Sequence, residues 1–344
     1  MRNQIRDRNR INRNITLILF IVLVLVLLAS IAIGIKRNGI NLLSASNASS
    51  ESESQKQEKW QEGIVEYNGK KYQYNKDLKV YLFMGIDTDY TVEEAKQYEE
   101  GGGQSDAMFL LVADKEAKEL SVISINRNSM TSVEVFSESG KSLGTYDLQI
   151  CLQHAYGDGG QLSCSRTVEA VSYLFYNLPI DGYFSINMGG VPLMNDAVGG
   201  VEVEVLEDLD SGEVHLTKGE TVLLDGKQAY AYLRSRDTEV FDSSSQRLRR
   251  QEQYLSSLMM ALKSTVSNDS SRALSIYDAL SEYVVTNISV GDVVTELMDY
   301  SYDPDSMKTV PGKTVMGEEY EEYQVDSQEL YELVIDIFYR EVAE

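Results

Sequence analysis

From Ile15 to Ile35 the chain runs for 21 residues without a charge, and only Thr16, Ser30 and Gly34 interrupt the apolar side chains. At about 1.5 Å of rise per residue, a helix of that length crosses a bilayer core of roughly 30 Å. The run is longer than the apolar region of a cleaved signal peptide, about 7 to 15 residues, and lacks an Ala-x-Ala-like exit. Residues 36–60 follow as a polar segment rich in Ser, Glu, Gln and Asn, which predicts a flexible tether. In GIVEYNGKKYQY, Asn68-Gly69 sits between two alternating runs and predicts a two-residue hairpin. KVYLFMGID (79–87) is apolar on both faces, the mark of a buried central strand, and AMFLLVADKEAKELSVISIN predicts two strands around a charged turn.

Further on, Arg166 to Tyr176 has helical periodicity, YFSIN reads as a strand, and Val191 to Ala197 as a short helix closed by Gly199-Gly200 before VEVEVL. This alternation predicts an α/β fold, a three-layer α/β/α sandwich with a central mixed β-sheet, behind one N-terminal transmembrane helix. The division expected is a cytoplasmic basic tail (1–14), the span (15–35), the linker (36–60) and one extracytoplasmic domain (61–344). Its motifs occupy 79–264, and residues 265–344 are expected to add outer helices.

Charge orients this arrangement. The 344 residues carry a net charge of -23, yet residues 1–37 hold seven Lys or Arg against Asp7 alone. Five of those arginines precede the span, which places the N-terminus in the cytoplasm and the domain outside. An acidic domain outside the membrane repels nucleic acid and excludes it as a partner. Two Cys and two His leave no ligands for a zinc ribbon or an iron-sulfur cluster, so any metal must rest on carboxylates. Cys151 and Cys164, in an oxidising compartment, are expected to form a disulfide, with two buried thiols as the alternative. His154 and His215 read as ordinary loop residues.

Within this acidic domain, LDGKQAYAYLRSRDTEVFDSSSQRLRRQEQYL (224–255) concentrates positive charge. Asp225 can cap a helix that delivers Arg234 and Arg236, and the Ser243–Ser245 triplet can cap a second. At 100° per residue Arg247, Arg250, Gln251 and Tyr254 share a face of that second helix, and Arg249 points away. Guanidinium forks near a helix N-terminus suit a phosphate-rich ligand. Paired with nothing but surface acids, the same arginines would be a solvated face.

LDGKQAYAYLRSR followed by RLRRQ resembles the Arg-rich signature of the LytR-CpsA-Psr cell-envelope proteins. LFMGID, GGGQSDAMFLLV, SVISINRNSM, HAYGDGG and NDAVGGVEVEV look like that family's other blocks, in the same order, so the resemblance covers about residues 79 to 264. It implies a membrane-anchored phosphotransferase that moves a glycopolymer from a polyprenyl pyrophosphate carrier to a peptidoglycan hydroxyl. Arg127, Arg234, Arg236, Arg247, Arg250 and Gln251 would then bind pyrophosphate. Asp87 and Asp106 would hold magnesium, or manganese in its place, and either could orient or deprotonate the acceptor. Two positions depart from the family pattern: Gln104 stands where Arg is frequent, and Asn128 where Asp is. They favour one alternative, a binding or regulatory module that holds lipid-linked polymer without chemistry; a pyrophosphate hydrolase is a further alternative, separated from the transferase only by whether an acceptor product forms.

Overall fold

The computed structural model describes residues 64–95, 102–137, 139–289, 291 and 300–342. The expected basic tail (1–14), the span Ile15–Ile35 and the linker (36–60) lie outside them, and among the described residues no helix is long and apolar enough to cross a membrane.

The described chain opens on β1 (Ile64–Tyr67) and β2 (Lys70–Tyr74). Asn68 and Gly69 join them with φ of 50° and 75°, the left-handed pair that an Asn-Gly hairpin turn requires. Next come β3 (Leu78–Ile86), one helical turn α1 (Val92–Ala95), β4 (Ser105–Asp114) and β5 (Glu119–Ile125), the three strands forming an antiparallel meander. The hairpin β6 (Met130–Phe136) and β7 (Ser142–Gln149) leads into α2 (Leu152–Ala155) and α3 (Gln161–Leu174). Then follow β8 (Gly182–Asn187), α4 (Val191–Ala197), β9 (Val201–Glu204), β10 (Leu209–Ser211), β11 (Val214–Leu216) and β12 (Thr221–Leu224). Three helices close this half: α5 (Gly226–Arg234), the 26-residue α6 (Ser243–Asn268) and α7 (Ser271–Leu280).

Residues 265–344 depart from the helical expectation. After α7 the chain makes β13 (Val284–Thr286), β14 (Ser301–Tyr302), β15 (Lys308–Thr309), the hairpin β16 (Gly312–Met316) and β17 (Glu321–Val325), α8 (Ser327–Phe338) and β18 (Tyr339–Glu341). Most of these strands have two to five residues and take their stability from distant partners. β14 and β15 pair with β5, and β18 pairs with β2.

The central sheet has the order β13-β8-β3-β4-β5-β14, with β15 also on β5, and mixes parallel and antiparallel pairs as expected. On one face Val80, Leu82, Met84, Leu110 and Ile123 pack against α3 and α8, with Val171, Val334 and Phe338 on the helix side. On the other, Phe83, Phe109 and Val122 meet Leu248, Leu255 and Met259 of α6. Helices on both faces explain why β3 is apolar throughout.

Candidate active site

Strands β3, β5 and β8 end, and β4 begins, at one edge of the sheet, and the predicted acidic residues stand there. Asp87 is the first residue past β3, and its amide donates to Gln104 O at 3.0 Å. Its Oδ1 in turn accepts from the Gln104 amide at 2.6 Å. Asp106 is placed by a β-bulge: Gly85 pairs with Ala107 and Ile86 with Ser105, so the pairing skips Asp106. A bulge of this kind re-aims a side chain out of the regular alternation.

Asp106 lies between two arginines. Its Oδ1 is 2.7 Å from Nε of Arg127, which follows β5, and its Oδ2 is 2.8 Å from Nη1 of Arg247 in the second turn of α6. The Arg127 Nε and Asp106 Oδ1 atoms, close as they are, are both buried and out of line for a hydrogen bond. Arg127 also donates through Nη2 to Gln104 Oε1. Asp87 titrates above the ordinary carboxylate value. Lost hydration is the main cause and the Asp106 charge the next, opposed by the Gln104 amide and by Arg127 and Arg234.

α5 brings the next two arginines. Its start is a capping box, the Asp225 side chain accepting from the Gln228 amide at 2.8 Å while Gln228 Oε1 accepts from the Asp225 amide at 3.0 Å. At its other end Arg234 reaches Asp89 through Nη1, at 2.7 and 2.8 Å from the two carboxylate oxygens, and Tyr230 Oη donates to Asp89 at 2.6 Å. Arg236, beyond the helix, donates to Ser244 Oγ at 2.7 Å, and Asn128 Nδ2 donates to the same oxygen at 3.1 Å. The Arg234 charge opposes the upward shift of Asp87, and the Arg236 charge disfavours the charge on the Arg247 guanidinium.

The α6 phase is as read: Arg247 and Arg250 are buried and Arg249 is exposed. The helix begins after Asp242, which has a left-handed φ of 60°, and the Ser triplet forms its first turn rather than its cap. Arg250 does not join the site. It donates to Tyr232 O at 2.8 Å, to Ser235 O and to Glu207, and burial pulls its guanidinium down to about 10. Gln251, also assigned to the pyrophosphate, is buried and donates to Leu233 O at 3.4 Å. Both tie α6 to α5.

The expected disulfide is not formed. Cys151 Sγ faces Gln104 Oε1 at 3.7 Å and Cys164 Sγ donates to Ser185 Oγ at 3.4 Å, so the buried thiols sit in different surroundings. Burial pushes each up to about 11, which keeps them protonated and unreactive. His154 lies on α2, buried, rather than in a loop.

Asp89, Tyr230 and Ser244 went unnoticed in the sequence. Tyr230 precedes Arg234 by one helical turn, a usable signal, whereas Asp89 sat among many acids and Ser244 read as a cap. An apolar cavity of about 280 Å³ lies between the sheet and helices α4, α6 and α7. Ala107 and Leu233, chain neighbours of Asp106 and Arg234, line it together with Gly85, Met259, Leu262 and Ile276.

Among the described residues no three His, Cys, Asp or Glu side chains cluster as a self-sufficient metal site. Two neighbouring carboxylates, one with a buried oxygen lacking an aligned donor, nevertheless fit a magnesium-type ion that takes its other ligands from phosphates and water.

A family model described as the LytR_cpsA_psr family matches residues 40–335. The polyisoprenyl-teichoic acid–peptidoglycan teichoic acid transferase TagU of Enterococcus faecalis is 28% identical over 260 residues, which are 74% of this chain and 77% of that protein. The corresponding TagV of Bacillus subtilis is 29% identical over 227 residues, 64% of this chain and about half (52%) of that protein. The crystal structure of B. subtilis TagV superposes with a TM-score of 0.60 at 24% identity, over 76% of this chain and 96% of that one, and shows the shared fold.

Proposed function

The chain belongs to the LytR-CpsA-Psr family, and on that premise we propose that it is a membrane-anchored phosphotransferase. It takes a glycopolymer from a polyprenyl pyrophosphate carrier and joins it to a peptidoglycan hydroxyl. The observation that carries this reading is the gathering of Arg127 and Arg247 on Asp106, with Arg234 and Arg236 close by in charge, next in the chain to Ala107 and Leu233 of an apolar cavity. A lipid pyrophosphate needs that combination. The names of the two transferase relatives agree with it.

In the proposed reaction the polyprenyl tail occupies the cavity and the arginines receive the two phosphates. The acceptor oxygen attacks the phosphorus that bears the sugar, and the bond from that phosphorus to the bridging oxygen breaks. The products are a phosphodiester between polymer and acceptor, and polyprenyl phosphate. Asp87, held at the end of β3 by the Gln104 amide on one carboxylate oxygen, takes the acceptor proton. Arg236 and Arg247 stabilise charge on the leaving phosphate. Magnesium, or manganese, held by Asp87 and Asp106, supplies further neutralisation of the pyrophosphate when bound. Anchoring rests on Ile15–Ile35, with the N-terminus cytoplasmic.

The two departures are accommodated. Gln104 Oε1 accepts from Arg127, and Asn128 supports the serine that receives Arg236. The test uses the full chain in detergent with an undecaprenyl pyrophosphate-linked disaccharide, magnesium chloride and peptidoglycan fragments. Release of polyprenyl phosphate together with a modified acceptor is expected. Release without acceptor product would make it a hydrolase, and binding without release a polymer-holding module.

A further inference from the structure

The mechanism leaves unused a buried histidine beside the turn that leads into Gln104. His154, 1% exposed on α2, places Nδ1 at 3.0 Å from Gly103 O. A carbonyl oxygen only accepts, so Nδ1 carries the proton, and Nε2 lies 3.8 Å from Cys164 Sγ. Burial disfavours the imidazolium, and the ring stays neutral.

The turn that His154 grips is tightly seated. The Gly102 amide donates to Ala155 O at 3.2 Å, and a Cβ on Gly102 would meet His154 O at 2.7 Å and Ser163 Oγ at 2.7 Å. Gly103 has φ of +72°, and a Cβ there would meet Ile86 Cγ2 at 2.7 Å. One residue on, the Gln104 amide holds Asp87 Oδ1 at 2.6 Å, and Gln104 Oε1 accepts from Arg127. The tie therefore runs from His154 through the Gly103 carbonyl to the two groups that set Asp87 and Arg127.

We propose that His154 is a positioning residue, whose hydrogen bond to Gly103 fixes the 102–104 turn and through it the Asp87 carboxylate. The consequence for turnover rests on the role given to Asp87 above, whereas the consequence for the turn does not. Asparagine and glutamine separate the idea from mere filling of space, because an Asn amide reaches the position of Nδ1 and a Gln amide that of Nε2.

The full chain in detergent is compared with His154→Asn, His154→Gln and His154→Leu. Two readouts are taken: amide hydrogen exchange in peptides spanning 102–106, and steady-state release of polyprenyl phosphate from the undecaprenyl pyrophosphate-linked disaccharide. Gln and Leu should speed exchange there at least tenfold and lower kcat at least tenfold, with KM for the lipid donor within threefold because the arginines are untouched. Asn should restore both to within threefold of the parent. Parental exchange at 102–106 in His154→Gln, or an Asn variant no better than Gln, overturns the proposal. If the parent shows no turnover, the transferase reading fails and exchange alone decides the positioning role. If His154→Leu does not fold, the Asn and Gln pair decides.

Discussion

Replacing Arg250 by methionine tests whether this arginine belongs to the substrate or to the fold. Its side chain is 5% exposed and its donors go to the Tyr232 carbonyl, the Ser235 carbonyl and Glu207. Removing one member of a buried ion pair costs about 3 to 5 kcal/mol, because its partner is left uncompensated. Glu207 is 33% exposed, so water takes over part of that role and the lower end applies. Each orphaned carbonyl adds roughly 1 kcal/mol, and the methionine stem recovers some packing. A net loss of about 4 kcal/mol, at roughly 2 to 4 °C per kcal/mol in a domain of this size, lowers Tm by about 8 to 16 °C. Thermal unfolding of the full chain in detergent measures it, with activity assayed well below the variant's midpoint, where kcat/KM should stay within a few-fold. An unchanged Tm with activity lost would refute the reasoning and return Arg250 to the pyrophosphate.

Arg236→Ala should behave in the opposite way, with Tm unchanged and kcat/KM for the lipid donor down by about 10² to 10³, the scale of one lost electrostatic donor. Single-turnover release of polyprenyl phosphate checks it. Met259→Trp, inside the cavity, should raise KM for a long polyprenyl donor about tenfold or more while leaving a geranyl pyrophosphate donor within threefold. Equal effects on both lengths would place the tail elsewhere. Asp114 sets an acid limb of stability. Desolvation pushes it up, but the amides of Ala117 and Glu116 and the Arg340 guanidinium outweigh that and hold it below its ordinary 3.8. Its contribution is complete above that unfolded-state value and is lost as pH falls through the lower folded one. Asp114→Asn should therefore flatten the loss of Tm below about pH 4, and an unaltered acid limb would contradict it.

The strands and helices that could be read from the sequence are those whose signal is local. β3 is apolar on both faces because helices cover both, and Asn68-Gly69 announces its turn through the left-handed pair it alone accepts cheaply. The helical phase separated Arg249 from Arg247 and Arg250 correctly, because phase depends on spacing. It could not tell what the inward arginines meet: Arg247 finds Asp106 and Arg250 finds Glu207, and both partners are distant in the chain. The bulge that frees Asp106 is a one-residue slip between two strands and leaves no trace in hydrophobic alternation. Strands β14 to β17 are short and polar, and β14 and β15 pair only with the distant β5, so a tail ending in one good amphipathic helix reads as helical throughout. The cysteine pairing rested on compartment alone, and geometry gave each thiol another neighbour.

The four site arginines divide by burial, and the division bears on the proposed catalysis. Arg127 and Arg247 have side chains 13% and 7% exposed and share Asp106, so their charges are already desolvated and already compensated. They cannot leave without exposing a buried carboxylate, and they act as a fixed field rather than a grip. Arg234 is 44% exposed and its present partners, Asp89 and Tyr230, belong to the mouth of the site. Arg236 is held by the hydroxyl of Ser244, a neutral group. Exchanging those partners for phosphate oxygens costs little, since an exposed ion pair is worth about 0 to 1 kcal/mol. In the proposed reaction Arg234 and Arg236 then exchange their partners for the donor's phosphates, and Arg236 joins Arg247, set in place before the substrate arrives, in stabilising the developing charge.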